Sequence, residues 1–278
     1  MENLLLLAKV SRPALWPVGA LVFLGGILYS HAELDALAIA QLALFSFPAS
    51  LYLCGINDVH DTETDRLNPR KGSTEGARIP AGKRNFVEKA SLLMALPILA
   101  ASFLTLNAWN ALSTILFILL GYAYSAPPAR LKEKPPLDSL SNGIGCLAIF
   151  AAGYGYGADP LLLFPKAIFG VLCIAGLHAV TTMMDYDADR KAGQRTFAIA
   201  FGKRAAVLFA LLACVAALLF SGVSNQPIMA GLFALSFLFG ALLIFPDEKL
   251  SRLVSWSAYA LFLTASLLVL AQMAGISI

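Results

Sequence analysis

The stretch ALAIAQLALFSFPASLYLCGI, residues 36–56, is followed directly by NDVHDTETD, residues 57–65. An apolar run of about 20 residues is long enough to cross a bilayer as a helix. Acidic residues also follow the apolar run 162–183, in the sequence DYDAD at 185–189. Because a charge at membrane depth costs at least about 2.5 kcal/mol on insertion scales, acidic clusters at the ends of two apolar runs predict a functional site at the membrane surface.

The bulk composition is typical of a membrane protein. Of the 278 residues, 59% are hydrophobic and 13% are charged, whereas a typical soluble domain has roughly 25% charged residues. We therefore expect residues 1–278 to form a single all-α, polytopic domain of about nine transmembrane helices in one bundle. The predicted spans are residues 13–30, 36–56, 86–106, 109–125, 139–157, 162–183, 205–222, 226–245 and 252–274.

The basic residues predict the orientation of the chain in the membrane. Nineteen of the 20 lysines and arginines precede the first predicted span or follow an even-numbered one, and only Lys166 falls on the other side. The positive-inside bias then places the N-terminus and both acidic loops in the cytoplasm and the C-terminus outside. These two loops have about 29 and about 21 residues, and long loops in a compact protein are commonly functional.

Cysteine spacing and net charge narrow the cofactor and partner classes. The four cysteines lie singly within apolar runs, without the paired spacing of a zinc site or a disulfide framework. The net charge of +3 is small, and we expect no nucleic-acid partner.

The acidic clusters have the chemistry of a site for hard cations. If the helix continues through each cluster, side chains three or four residues apart share one face. Oxygen ligands favour Mg²⁺ or Mn²⁺ over zinc or copper, and Mg²⁺ typically binds through one or two carboxylates plus phosphate oxygens. We therefore predict a two-sided metal site for a diphosphate. The alternative is a set of solvated carboxylates that pair with Arg66, Arg70, Arg190 and Lys191.

The two acidic loops also resemble each other in sequence. After its acidic cluster, each loop contains Gly-Lys-Arg, at residues 82–84 and at residues 202–204. This similarity predicts an internal duplication with a site between the halves.

A third polar segment follows the fourth predicted span, with the sequence YSAPPARLK at residues 124–132. Its prolines interrupt the helix and predict an extended segment that presents Arg130 and Lys132 on the face of the acidic loops. Guanidinium and ammonium groups are good partners for phosphate oxygens. Ordinary positive-inside charge is the alternative, and it explains Lys134 well.

Together these features resemble the UbiA superfamily of intramembrane prenyltransferases. The pattern NDxxDxxxD at 57–65 is similar to the first aspartate motif of that superfamily, and DxxxDRK at 185–191 is similar to the second. The segment YSxPPxRxK at 124–132 is similar to the loop between its fourth and fifth spans, and Arg12-Pro13 also fits. The resemblance covers nearly the whole chain.

The resemblance implies a nine-helix bundle whose central cavity opens to lipid and whose two acidic cytoplasmic loops form a cap. It also implies Mg²⁺-assisted departure of diphosphate from an allylic isoprenyl diphosphate, followed by attack of an electron-rich acceptor carbon on the carbocation. The partners would be that diphosphate, a lipophilic acceptor and the lipid bilayer.

The resemblance assigns roles to individual residues. The metal ligands would be Asn57, Asp58, Asp61, Asp65, Asp185 and Asp189, of which Asp61 and Asp185 are the catalytic residues. The diphosphate-binding residues would be Arg66, Arg78, Tyr124, Arg130, Lys132 and Lys191. Arg12 and Asn142 would contact substrate.

Two further features favour one branch of the superfamily. Tocopherol-type aromatic members have an additional aspartate three residues before Asp185, where this chain has Thr182. The stretch PPLDSLSNG at 135–143 and the sequence GLHA at 176–179 look more like the carotenoid-elongating branch related to lycopene elongases. That similarity implies a polyene such as lycopene as acceptor and dimethylallyl diphosphate (DMAPP) as donor.

Other functions remain open at the level of sequence. The acceptor could be aromatic, a quinone or chlorin precursor, or the same scaffold could act as a terpene cyclase. An ion-coupled transporter is the alternative from a different class, but its carboxylates would lie near the middle of a span, whereas both clusters here lie at the ends of spans.

Overall fold

The computed structural model describes residues 2–68, 71 and 76–273, apart from the side chains of residues 63 and 67. Arg70, which is one of the basic loop residues, and residue 274, which ends the last predicted span, lie outside the described residues. Every regular element within the described residues is helical. This confirms the all-α prediction.

The chain divides into two compact units. The first unit contains Met1–Leu131 and Gly145–Leu162, and the second contains Lys132–Ile144 and Leu163–Ile278. Each acidic cluster therefore belongs to a different unit, and each can be described with the helices around it.

Two helices of the first unit begin after residues whose side chains cap them. Asp35 and Asn107 accept hydrogen bonds from the backbone N–H groups of Ala38 and Asn110, at 2.7 Å and 3.0 Å, which satisfies donors that a helix start leaves free. The helices are α1 (Glu2–Val10), α2 (Trp16–Tyr29), α3 (Ala36–Leu44), α4 (Phe47–His60), α5 (Thr62–Leu67), α6 (Arg84–Leu104), α7 (Ala108–Ser125) and the second part of α8 (Leu137–Tyr154).

Close backbone contact and a buried polar network hold the first unit together. A Cβ atom at Gly153 would collide with the carbonyl oxygen of Phe23, so glycine at this position lets α8 lie directly against α2. Asn110 and Gln41 exchange two side-chain hydrogen bonds of 3.0 Å, and Asn110 also donates to the carbonyl oxygen of Ala152 at 2.8 Å. This network connects α3, α7 and α8.

The second unit packs its helices around small residues. A Cβ atom at Gly176 would lie 2.6 Å from the Cα atom of Ala210, so α9 and α12 also lie backbone against backbone. Phe239 and Leu242 are fully buried in the same core. The helices are the first part of α8, α9 (Ala167–Thr181), α10 (Tyr186–Lys191), α11 (Phe197–Phe201), α12 (Lys203–Phe220), α13 (Gln226–Ile244) and α14 (Glu248–Met273).

The described helices fit a protein that crosses the membrane several times. By length and composition, six segments can span a bilayer. They are Ala36–His60, Ala81–Leu104, Ala108–Ser125, Lys203–Phe220, Gln226–Ile244 and Glu248–Met273. The pair Glu2–Val10 and Pro13–Tyr29, bent by 47°, would make a seventh span. The predicted spans 139–157 and 162–183 correspond to α8 and the shorter α9, so the count of about nine stays a prediction.

Candidate active site

The first acidic segment is a break between two helices. Helix α4 ends at His60, Asp61 takes the non-helical angles φ −109° and ψ 13°, and α5 begins at Thr62. The predicted single helical face through the whole cluster is therefore interrupted at Asp61. The backbone N–H of Asp65 still donates to the carbonyl oxygen of Asp61 at 2.8 Å, so these two aspartates remain one turn apart.

The second acidic segment repeats this local structure. Asp185 has φ −113° and ψ 11°, and α10 begins at the next residue. The backbone N–H of Asp189 donates to the carbonyl oxygen of Asp185 at 2.8 Å, as the predicted i,i+4 spacing requires. Both aspartates thus precede a six-residue helix with nearly the same backbone angles. The sequence similarity of the two loops extends to their backbone conformation.

Asp58 is the centre of a charge cluster in the first unit. Its side chain is fully buried, and its Oδ1 accepts hydrogen bonds from Arg12 Nη2 and Lys71 Nζ, both at 2.7 Å. Lys71 Nζ also lies 3.1 Å from Asp65 Oδ2. The Oδ2 atom of Asp58 is buried and has no hydrogen-bond partner among the described residues. Asp58 therefore presents one oxygen to two cations, while its other oxygen has no partner in the described part of the chain.

Arg12 and Arg130 are held in an uncommon backbone conformation. Arg12 has φ 51° and Arg130 has φ 40°, a region that side-chain-bearing residues seldom adopt. Such residues cost about 1–3 kcal/mol each and cluster at binding sites. Both arginines were predicted to contact the substrate, and this contact stays a prediction, because His31 and Leu106 have the same backbone conformation without an assigned role.

The environment of Asp65 disfavours its charged form. Burial is the main cause and raises the pKa of Asp65 to about 7, with the neighbouring Asp58 and Asp61 adding to the rise while Lys71 opposes it. Binding of a cation would favour the ionised carboxylate. The acidic segment therefore has an electrostatic reason to take up positive charge.

This raised pKa predicts a pH-dependent effect of Asp65→Asn on the stability of the metal-free protein. A carboxyl whose pKa rises on folding from 3.8 to about 7 stabilises the fold at low pH, and this stabilisation is lost as the pH rises to about 7. In EDTA, the melting temperature of the Asn variant relative to wild type should increase between pH 4 and pH 7 and level off above. Melting curves across this range measure the difference, and a constant difference would contradict the assigned pKa.

The oxygen ligands of the first segment fit a divalent cation that is also bound by the phosphate oxygens of a substrate. Its carboxylates supply hard oxygen atoms, one of which, Asp58 Oδ2, is buried without a partner among the described residues. No group of three or more His, Cys, Asp or Glu side chains in the described part of the chain has the arrangement of a metal cage. Mg²⁺ usually needs only one or two carboxylates because phosphate oxygens and water complete its shell.

The other predicted residues of the first unit differ in their surroundings. Asn57 Nδ2 donates to Ser125 Oγ at 3.3 Å, which connects the end of α4 to the end of α7. Arg66 and Arg78 are exposed, and Arg78 Nη2 donates to the carbonyl oxygen of Asn68 at 3.1 Å. Tyr124 is half-buried.

In the second unit, the predicted residues range from buried to exposed. Asp189 and Lys132 are buried, Asp185 is half-buried and Lys191 is exposed. Asn142 Nδ2 donates to the carbonyl oxygen of Asp138 at 2.7 Å. The amide of Asn142 is thus engaged within α8, and its contact with substrate stays a prediction.

Sequence reasoning missed the contacts of two residues near the acidic segments. Lys71 bridges Asp58 and Asp65, but no motif distinguishes it from the other basic residues of its loop. Asp138 is fully buried and accepts hydrogen bonds from the backbone N–H groups of Ser139 and Phe197. An acidic residue at the start of an apolar run was a usable signal for Asp138.

Comparison with known proteins identifies the class of protein that this fold and site define. The profile of the UbiA prenyltransferase family matches residues 14–263. The chain therefore belongs to the UbiA prenyltransferase family, which confirms the resemblance noted in the sequence and makes the chain a membrane prenyltransferase.

Two relatives place the chain more closely. It is 31% identical over 245 residues to a lycopene elongase/hydratase of Corynebacterium glutamicum, covering 87% of this chain and 85% of the relative. It is 37% identical over 205 residues to a lycopene elongase/hydratase of Halobacterium salinarum, covering 72% of each.

A solved structure supports the same fold. A UbiA homologue from Archaeoglobus fulgidus, bound to DMAPP and Mg²⁺, has a TM-score of 0.68 at 21% identity and covers 92% of this chain and 98% of its own.

Proposed function

We propose that the chain transfers an isoprenyl group from an allylic diphosphate to a carotenoid polyene such as lycopene, with DMAPP as donor and Mg²⁺ as cofactor. The observation that carries the proposal is the similarity to lycopene elongase/hydratases over most of the chain. The paired acidic segments support the donor side of the reaction, and the A. fulgidus homologue bound to DMAPP and Mg²⁺ is a precedent for it.

The donor is bound through its diphosphate. A divalent cation at the acidic segments would neutralise the charge that develops on the leaving diphosphate. Oxygen atoms of the two segments would hold this cation, in a set composed of Asn57, Asp58, Asp61, Asp65, Asp185 and Asp189. Cationic and phenolic groups steady the phosphate oxygens, in a set composed of Arg66, Arg78, Tyr124, Arg130, Lys132 and Lys191.

The transfer breaks one bond and forms one bond. The allylic C–O bond of the donor breaks, and its electron pair leaves with the diphosphate. A terminal double bond of the polyene attacks the allylic carbon and forms the new C–C bond, after which the acceptor cation loses a proton to give a new double bond. Apolar helices around the reacting carbons exclude water, which would otherwise capture the cation.

Both acidic segments serve this single reaction in our proposal, so that residues 1–278 act as one catalytic domain. The nearly identical backbone angles of Asp61 and Asp185 support this symmetry of roles. In each segment an arginine follows the last aspartate, at Arg66 and Arg190. Each segment can thus offer both a carboxylate and a guanidinium to one diphosphate.

A product analysis tests the acceptor. Purified protein in lipid nanodiscs is incubated with Mg²⁺, DMAPP or longer allylic diphosphates, and a mixed pool of lycopene and aromatic acids. We expect mass spectrometry to detect lycopene enlarged by one five-carbon unit and diphosphate release that depends on lycopene.

The other outcomes of this experiment point to specific alternatives. Prenylated aromatic acids would assign the chain to an aromatic acceptor, and diphosphate release without any acceptor would indicate a terpene cyclase. Either result would overturn the carotenoid proposal. A parallel reaction with Asp61→Ala protein identifies any product that forms without the proposed catalytic aspartate.

A further inference from the structure

Asp138 is a buried carboxylate that the proposed chemistry does not use. Its Oδ2 accepts a 2.6 Å hydrogen bond from the backbone N–H of Phe197, and its Oδ1 accepts one of 2.8 Å from the backbone N–H of Ser139. Asp138 is fully buried. A charged acceptor makes such bonds about twice as strong as neutral ones, so this contact is a firm connection between the start of α8 and the start of α11.

Thr182 makes a second connection to the same place. Its Oγ1 accepts a 3.0 Å hydrogen bond from the backbone N–H of Ala198 and donates one of 2.7 Å to the carbonyl oxygen of Ala179. Thr182 is buried, as Asp138 is. Two consecutive backbone N–H groups at the start of α11 are therefore held by side chains from α8 and from the end of α9.

The segment between these contacts contains the second acidic cluster. It starts after Thr182, includes α10 with Asp185 and Asp189, and ends at Phe197. Met183 and Phe197 bury their side chains in the core of the second unit, where Phe197 stacks on Phe209 with ring centroids 5.5 Å apart. Both ends of the segment are thus fixed, although α10 itself has only six residues.

The start of α8 also follows Lys132 closely in the sequence and contacts α9. Lys132 lies six residues before Asp138, in the short helical turn Leu131–Glu133, and is buried. Ser139 Oγ lies 3.1 Å from Nδ1 of His178 in α9, which adds a further contact between the start of α8 and α9. A displacement of Asp138 would therefore change the contacts of the start of α8 with α11 and with α9.

We propose that Asp138 is a positioning residue for the transfer reaction, which acts through the backbone N–H of Phe197 and, together with Thr182, fixes the acidic segment 185–189 for cation and diphosphate binding. This inference rests on the proposed function for its chemical meaning. Its structural part, the fixing of the segment, can be measured without substrate.

Hydrogen exchange of the metal-free protein tests the structural part. In Asp138→Asn the side chain keeps its size, but its amide nitrogen faces one of the two backbone N–H donors. Peptides covering residues 192–201 should then exchange about tenfold faster than in wild type, the loss expected for one hydrogen bond to a charged acceptor. Thr182→Val should have a smaller effect in the same peptides, and Thr182→Ser should restore the wild-type exchange.

The Mg²⁺ dependence of transfer tests the functional part. Partners that orient a metal site typically change metal affinity 10- to 100-fold when they are removed. We expect the Mg²⁺ concentration for half-maximal rate to rise about tenfold in Asp138→Asn, with a smaller loss of rate at saturating Mg²⁺. Asp35→Asn is the matched control, because Asp35 also accepts a backbone hydrogen bond, from Ala38 in the first unit. It should leave exchange at 192–201 and the Mg²⁺ dependence unchanged.

The outcomes separate this inference from the proposed function. Wild-type exchange at 192–201 in both Asp138→Asn and Thr182→Val would overturn the positioning role. Faster exchange with an unchanged Mg²⁺ dependence would also overturn it, because Asp138 would then only stabilise the fold. Wild-type protein whose transfer needs no Mg²⁺ would instead overturn the proposed function, while the exchange results in metal-free protein would still hold.

Discussion

Asp61→Ala and Asp185→Ala should each abolish measurable transfer while leaving the protein folded. Removal of one strong electrostatic contact to a developing charge typically costs about 10²- to 10³-fold in rate, and each of these aspartates is proposed to hold the cation on the diphosphate. The measurement is the rate of product formation at saturating Mg²⁺ and donor. Melting curves of the same preparations report the fold.

One common cost of such substitutions to the fold does not arise at these two positions. Asp61 and Asp185 precede α5 and α10, but neither side chain makes a capping hydrogen bond to its helix. Loss of a cap would cost about 1 kcal/mol, and that cost does not arise here. Asp187→Ala is the matched control, because Asp187 belongs to the same acidic cluster and is exposed. We expect it to retain most of the wild-type rate.

The double variant Asp61→Ala/Asp185→Ala tests whether the two segments serve one reaction. Residues that act as a unit have strongly non-additive effects on rate. The double variant should therefore be no less active than the more severely affected single variant. Substantial activity in both single variants would contradict the assignment of the two segments to the metal site.

The sequence predicted the features that depend on local composition. Apolar runs of spanning length and their acidic ends follow from hydropathy alone, and the all-α fold followed from them, whereas the family followed from the resemblance of the motifs at 57–65, 124–132 and 185–191. The i,i+4 relation of Asp185 and Asp189 is a local backbone property and was also predicted. The number of spans was harder to predict. Helix α8 contains glycines and polar residues, and it is not among the helices that are long and apolar enough to span a bilayer.

The features that the sequence could not supply depend on contacts between distant residues. The break at Asp61 has no proline or glycine beside it, so no local signal marks it. Lys71 reaches Asp58 from 13 residues away, and Asp138 reaches Phe197 from 59 residues away. Such pairs are determined by the packing of helices. The sequence contains many possible partners for a charged residue, and it does not indicate which of them will be close in the fold.

Repetition within the chain clarifies how the two units differ. Asp58 lies three residues before Asp61, and Thr182 lies three residues before Asp185. Asp58 binds Arg12 from the start of the chain, whereas Thr182 binds the backbone of Ala198. Equivalent sites in the two acidic segments thus use different chemistry: an ion pair in the first and a hydroxyl in the second.

The Arg12–Asp58 ion pair should be strongly coupled in stability. Asp58→Leu leaves the guanidinium of Arg12 without its carboxylate, and Arg12→Met leaves Asp58 with Lys71 as its remaining cation. Removing one partner of a buried pair typically costs about 3–5 kcal/mol, whereas replacing both with apolar residues is often nearly neutral. We expect the lower part of this range for Arg12→Met, because the Arg12 side chain is 21% exposed.

The double variant Arg12→Met/Asp58→Leu should recover most of the unfolding free energy, as measured by denaturation in mixed micelles, but not the transfer rate. Lys71 keeps its contact with Asp65 in that variant, so this charge cluster retains an ion pair, while the proposed substrate contact of Arg12 and the carboxylate of Asp58 are lost. The Lys203–Glu248 pair is the matched control. Its nitrogen and oxygen atoms lie 3.2 Å apart, and its side chains are 26% and 29% exposed. Glu248→Gln should lower the free energy of unfolding by no more than about 1 kcal/mol. Additive losses in the Arg12/Asp58 cycle would show that the pair is not coupled, and full activity in the double variant would remove both residues from the site.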